Sequence, residues 1–145
     1  MRVALDTNIL AYAEGVNGGA RKKAALAIVE RLPSEETFVP VQVLGELYAV
    51  LVRKAERAPA RARDAILSWQ ETFTSIETSS GVLAAAIDLA AGHNLGIWDS
   101  IILSASAAGA CRFLLSEDLQ NGFTWSGVTV LNPFEVGVLE RVLGE

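Results

Sequence analysis

Short apolar runs alternate along this chain with longer stretches in which apolar residues recur every three or four positions. Arg2 to Leu5 reads as a strand that stops at Asp6-Thr7-Asn8, and Ile9, Leu10, Tyr12 and Ala13 then follow helical spacing. From Gly19 to Leu32 the spacing predicts a helix with Ala24, Ala25, Ile28 and Leu32 on one side, ended by Pro33-Ser34. Thr37 to Val39 is a short strand, and Pro40 stands where a first-turn proline opens the helix Val41 to Ala55. Pro59 starts another helix, Ala60 to Phe73. Thr74 to Glu77 is β-branched enough for a strand, and Thr78-Ser79-Ser80 supplies capping hydroxyls for an alanine-rich helix reaching about Ala91. Gly92, Asn94 and Gly96 break that helix before the next, Trp98 to Ala108. Arg112 to Leu115 and Val128 to Leu131 are the remaining strands.

Strands separated by helices of ten or more residues imply an α/β fold, a parallel sheet covered by helices on both faces. The pair Asn121-Gly122 conflicts locally with this, because it reads as a hairpin turn ahead of the last strand. A length of 145 residues, 51% hydrophobic and 20% charged, suits one domain, residues 1–145, with a packed core. No apolar run approaches the roughly 20 residues that span a bilayer, and the first residues meet Asp6 too soon for a signal peptide, so the expectation is a soluble cytoplasmic protein with no membrane partner. The alanine-rich helix Val82 to Ala91 and the segment Phe123 to Phe134 offer apolar surface beyond what one small domain buries, from which a homodimer is expected.

Composition narrows the chemistry. One cysteine, Cys111, and one histidine, His93, leave no His/Cys zinc cluster, so any metal must be held by oxygen. A net charge of −5 argues against a nucleic-acid partner, but Arg53, Lys54, Arg57, Arg61 and Arg63 crowd into one stretch. That stretch reads either as a solvated helix surface or as a phosphate-binding face to which Arg53, Arg57 and Arg61 contribute.

Four acids stand out by position. Asp6 closes the first strand and Asp118 lies just beyond the Arg112 to Leu115 strand, which places both at the carboxyl edge of a parallel sheet, where ligands bind in open α/β folds. Glu46 interrupts an almost wholly apolar helix face shared with Val43, Leu47 and Val50, and should face the interior. Asp99 opens its helix after Trp98. Each has a plainer reading, as a helix N-cap for the aspartates and as an exposed glutamate for Glu46. If all four converge to about 5 Å, each pair repels by roughly 3 kcal/mol at an effective dielectric near 20, and such a cluster demands a cation. Ligation by oxygen alone points to Mg²⁺ or Mn²⁺.

The markers Leu5-Asp6-Thr7-Asn8-Ile9-Leu10, Glu46, Trp98-Asp99-Ser100 and Leu115-Ser116-Glu117-Asp118-Leu119 give nearly the whole chain a resemblance to PIN-domain nucleases, and among them to the VapC-type ribonuclease toxins of toxin–antitoxin pairs. The resemblance implies a three-layer α/β/α sandwich with strand order 3-2-1-4-5. It also implies a divalent ion bound by Asp6, Glu46, Asp99 and Asp118, supporting polar groups at Thr7, Asn8 and Ser116, an RNA substrate, a homodimer, and an antitoxin whose tail blocks the site. Within the same family, an RNA-processing nuclease and a non-catalytic binding domain remain open.

Other classes fit worse. A phosphoacceptor receiver domain needs an acidic pair after its first strand and a late lysine, whereas Thr7-Asn8 follows Asp6 and no lysine follows Lys54. Neither the dinucleotide-binding nor the phosphate-loop glycine motif occurs. A Ser-His-Asp hydrolase would have to use His93, which lies in a helix-ending segment.

Overall fold

The computed structural model describes residues 1–145. In chain order the elements are β1 (Val3–Leu5), α1 (Thr7–Ala13), α2 (Gly19–Arg31), β2 (Thr37–Pro40), α3 (Val41–Arg53), α4 (Pro59–Thr72), β3 (Thr74–Ile76), α5 (Ser80–His93), α6 (Ile97–Ala108), β4 (Phe113–Leu115), β5 (Thr124–Trp125), β6 (Val128–Leu131) and α7 (Val138–Leu143). The sheet order is β3-β2-β1-β4-β6-β5. The first five strands in that order pair in parallel, and β5 alone is antiparallel, against β6. Without β5 this is the expected 3-2-1-4-5 arrangement, so the correction is one short edge strand.

That edge strand resolves the conflict at Asn121-Gly122. The tight turn lies further on, where Ser126 (φ 49°) and Gly127 (φ 83°) join Trp125 to Val128. Two consecutive positive φ values are what a type I′ hairpin turn requires. Asn121 instead accepts a hydrogen bond from the Asn132 amide (2.9 Å) and donates to Glu135 (3.3 Å), fastening the start of the hairpin to the segment after β6.

β1 and β4 are buried along their whole length, as expected of central parallel strands covered on both faces, which accounts for their uninterrupted apolar sequences. α1 packs against α2 and α3, α3 against α4, and α5 against α6, which lies over β2, β4 and β6. A continuous core runs from Val3 to Val142 and takes in Leu139 and Val142 of α7, a helix too short for its periodicity to stand out in the sequence. No helix is long and apolar enough to cross a membrane.

The register brings the strand ends level. Val3, Ala4 and Leu5 of β1 pair with Phe113, Leu114 and Leu115 of β4, and the next amide along, that of Asp6, donates to the Leu115 carbonyl (3.0 Å). The Ser116 amide donates to the Leu131 carbonyl (3.0 Å) in the same way. The two segments that leave the sheet beside each other therefore begin with Asp6-Thr7-Asn8 and Ser116-Glu117-Asp118.

Candidate active site

Asp6 is the N-cap of α1, and its extended backbone (φ −84°, ψ 165°) turns the carboxylate back onto the helix start. Oδ1 accepts from the Thr7 amide (2.7 Å), while Oδ2 accepts from Ser116 Oγ (2.7 Å) and from Asn8 Nδ2 (3.4 Å). The residue is 4% exposed. Burial is the main cause that pushes its pKa from 3.8 up to about 6, the Ser116 and Thr7 hydrogen bonds oppose this, and Asp99 and Glu46 add to it. The capping reading of Asp6 is thus correct, and the same carboxylate also faces two other acids.

Asn8 and Ser116 hold the two loops together. Both are buried. Asn8 Nδ2 lies 3.4 Å from Ser116 Oγ and 3.3 Å from an Asp118 carboxylate oxygen, and Asn8 Oδ1 accepts from the Glu117 amide (3.1 Å). Ser116 Oγ accepts from the Leu119 amide (3.2 Å) while donating to Asp6. Outside this clamp, Tyr12 donates to Glu117 (2.6 Å), and Arg21 pairs with the same carboxylate.

Glu46 projects from α3 on the side of Val43 and Leu47, yet it is half-buried at the rim of a cleft, not in the interior as expected. Thr7 Oγ1 donates to Glu46 Oε1 (3.0 Å) and Gln42 Nε2 to Oε2 (2.9 Å), so Thr7 links Glu46 to the backbone turn that Asp6 caps. Asp99 is half-buried in the first turn of α6, where Gly96 is the N-cap, so Asp99 is not the capping residue. Burial raises its pKa, with Glu46 and then Asp118 adding to the effect, and no opposing cation or hydrogen bond lowers it. Asp118 is exposed and is tied to the site through Asn8. A cleft of about 410 Å³ is lined by Gln42, Glu46, Gly96, Trp98 and Asp99, and Trp98, 62% exposed, is its apolar wall.

The structure therefore gathers Asp6, Glu46, Asp99 and Asp118 at one edge of the sheet with Thr7, Asn8 and Ser116 between them. None of the six ion pairs in the chain involves any of the four acids. No three His, Cys, Asp or Glu side chains lie close enough together to hold a metal ion among themselves. The all-oxygen, uncompensated donor set fits a hard divalent ion of the Mg²⁺ type, which keeps several waters and uses one or two carboxylates together with substrate oxygens.

The basic stretch divides. Arg57 is spent internally: Nη1 pairs with Glu14 Oε1 (2.7 Å) and Nη2 donates to the Glu14 carbonyl (2.9 Å), so its assignment to RNA is withdrawn. Arg53 and Arg61 are exposed and unpaired. The sequence reading missed Gln42, although its position four residues before Glu46 on one helix face was a usable signal. It also missed the Tyr12–Glu117–Arg21 group, for which no local pattern exists.

The PIN domain model matches residues 3–121. No curated protein matches the chain. Among solved structures, the VapC20 toxin of Mycobacterium tuberculosis, which cleaves the sarcin-ricin loop, is 16% identical with a TM-score of 0.67, over 80% of this chain and 89% of that one. A toxin–antitoxin complex from Klebsiella pneumoniae gives 21% identity and a TM-score of 0.69, over 92% and 99%. FitAcB from Neisseria gonorrhoeae gives 16% and 0.65, over 92% and 99%. Sheet order, strand-end acids and domain match agree, and the chain belongs to the PIN-domain family.

Proposed function

We propose that this protein is an endoribonuclease that hydrolyses RNA phosphodiester bonds with the help of Mg²⁺ or Mn²⁺, and that it is the toxin of a VapBC-type pair. The observation that carries the reading is the meeting of four carboxylates, contributed by four separate segments, with no cationic side chain paired to any of them. A fold stabilised for its own sake has no use for such a cluster, since each like-charge approach costs free energy.

Asp6, Glu46, Asp99 and Asp118 are the residues that would hold the divalent ion. Such an ion supplies a lowered pKa for bound water and neutralises charge on a phosphodiester under attack. The protein's own groups prepare the place. The Thr7 amide and the Ser116 hydroxyl fix both oxygens of Asp6, Thr7 Oγ1 and Gln42 fix both oxygens of Glu46, and Asn8 ties Asp118 to Asp6. Ligands oriented this way lose little freedom when a cation arrives.

The toxin role is supported by the company of the fold, since two of the similar structures are named as a toxin and a toxin–antitoxin complex. An antitoxin partner, a homodimer and action in the cytoplasm as a single nuclease unit complete the proposal. The test is RNA cleavage by purified protein with and without EDTA. Cleavage lost in EDTA and restored by Mg²⁺ or Mn²⁺ is expected; cleavage indifferent to EDTA overturns the metal mechanism, and tight RNA binding without cleavage overturns the enzyme.

A further inference from the structure

Asp99 also lines a second, smaller recess of about 250 Å³, which Glu46 does not reach. Its apolar lining includes Leu103, Leu119 and Phe123, and its polar lining is Asp99, His93 and Gln120. His93 and Phe123 meet edge to face, with ring centroids 5.6 Å apart. The recess is smaller than the ~300–1,000 Å³ of pockets for drug-sized ligands. Its composition is equally restrictive: apolar sides and an aromatic ring, with an imidazole and an amide as hydrogen-bonding groups. Asp99 lines both this recess and the acidic cleft, so an occupant sits directly beside the carboxylates.

We infer that this recess is a base-reading slot, which takes the nucleobase of a nucleotide flanking the scissile phosphate. The inference rests on the ribonuclease reading and gives it a substrate feature: a single-stranded or looped site with one base turned out of its stack. Unstacked bases are recognised in this way, by burial against aromatic and apolar side chains and by hydrogen bonds to their edges. Gln120 offers both an acceptor and a donor to such an edge, and His93 one of each when neutral. The dependence on base identity belongs to this slot, and the dependence on phosphate charge to the acidic cleft.

The test uses short fluorescent oligoribonucleotides that are intact or carry one abasic nucleotide at successive positions around the cut. Affinity is measured by anisotropy with Ca²⁺ in place of Mg²⁺, so that the carboxylates are neutralised, and the oligonucleotides are checked on a gel to be intact afterwards. Wild-type protein is expected to lose roughly 5- to 150-fold in affinity at one flanking position, the range of one stacked base. In the double variant His93→Ala/Gln120→Ala, and separately in Phe123→Ala, the intact oligonucleotide should bind more weakly and the abasic penalty should shrink toward none. His93 and Gln120 are exposed, so the double variant keeps the test valid if Phe123→Ala fails to fold. Equal affinity for all abasic positions in the wild type, or an undiminished penalty in the variants, overturns the slot. Base-dependent binding with no cleavage in Mg²⁺ counts against the ribonuclease reading alone, and metal-dependent cleavage with no base dependence counts against the slot alone.

Discussion

The helix α1 carries a carboxylate at each end, and the two are treated in opposite ways. At its C-cap, Glu14 receives a full complement: Arg57 Nη1 on one oxygen (2.7 Å), Trp69 Nε1 on the other (2.9 Å), and a second Arg57 nitrogen on its own carbonyl (2.9 Å). At the N-cap, Asp6 is more deeply buried but receives only neutral donors, and its charged neighbours are other acids. Where a carboxylate holds structure together, this fold supplies the cation, drawing on residues 43 and 55 positions away. Where four carboxylates meet, the fold supplies hydroxyls and amides that orient Asp6, Glu46 and Asp118 and leaves the charge uncompensated.

The sharpest break between the two ends should appear in activity. Asp6→Asn or Asp99→Asn is expected to lower RNA cleavage by more than ~100-fold, beyond the 10–100-fold typical of groups that act through a metal ligand, while the melting midpoint at pH 7 holds or rises because like-charge repulsion is relieved. Circular dichroism melts beside initial rates would check this. Retained activity with a lowered midpoint would make both acids structural.

The pH dependence of the metal-free protein comes next. Because Asp6 is raised from 3.8 to about 6, the folded chain holds its proton more tightly than the unfolded chain between those values. The contribution of Asp6 to stability is therefore full below about pH 4 and is lost as pH climbs through about 6, by up to about 3 kcal/mol. Asp99, also raised, acts in the same direction. Urea unfolding in EDTA across this window should show a smaller fall for Asp6→Asn than for the wild type, and identical slopes would refute the assignment.

At the other end of the helix, Arg57→Ala should cost about 2 kcal/mol, less than for a fully buried pair because the two side chains are 25% and 21% exposed, and should leave the cleavage rate per folded molecule unchanged. A loss of RNA affinity without a loss of stability would return Arg57 to the RNA-binding surface. The smallest effect is expected from Arg53→Ala/Arg61→Ala: if each exposed guanidinium meets one phosphate, the salt slope of RNA binding falls by about 0.7 per contact. An unchanged slope would identify the stretch as solvated surface.

Much of the site could be read in the sequence because its signals are local. An acid that ends an apolar strand, or that interrupts an apolar helix face, is anomalous wherever the rest of the chain goes. That the main strands are parallel followed similarly from their spacing, whereas their order came only from the family resemblance. What remained hidden depends on distant partners: nothing near Arg57 announces Glu14, and nothing near Tyr12 announces Glu117. Local turn chemistry also misled at Asn121-Gly122, where a favourable dipeptide serves as an anchor while Ser126-Gly127 makes the hairpin. Glu46 shows the same limit, since periodicity gave the correct face of α3 but could not show that this face reaches the rim of a cleft.

The two borders of the sheet set how copies of this chain can meet. One border is β3, three residues long, and the other is the two-residue β5, at the end of a sharply turned hairpin. Borders this short offer too few free backbone groups to template another strand, so growth of the sheet from molecule to molecule is suppressed at both ends. The proposed homodimer would then have to form through the helices, and Leu83 and Ile87 lie exposed one turn apart on α5. A pair formed there would close on itself, and the short borders of β3 and β5, left outside it, would give little template for a further strand.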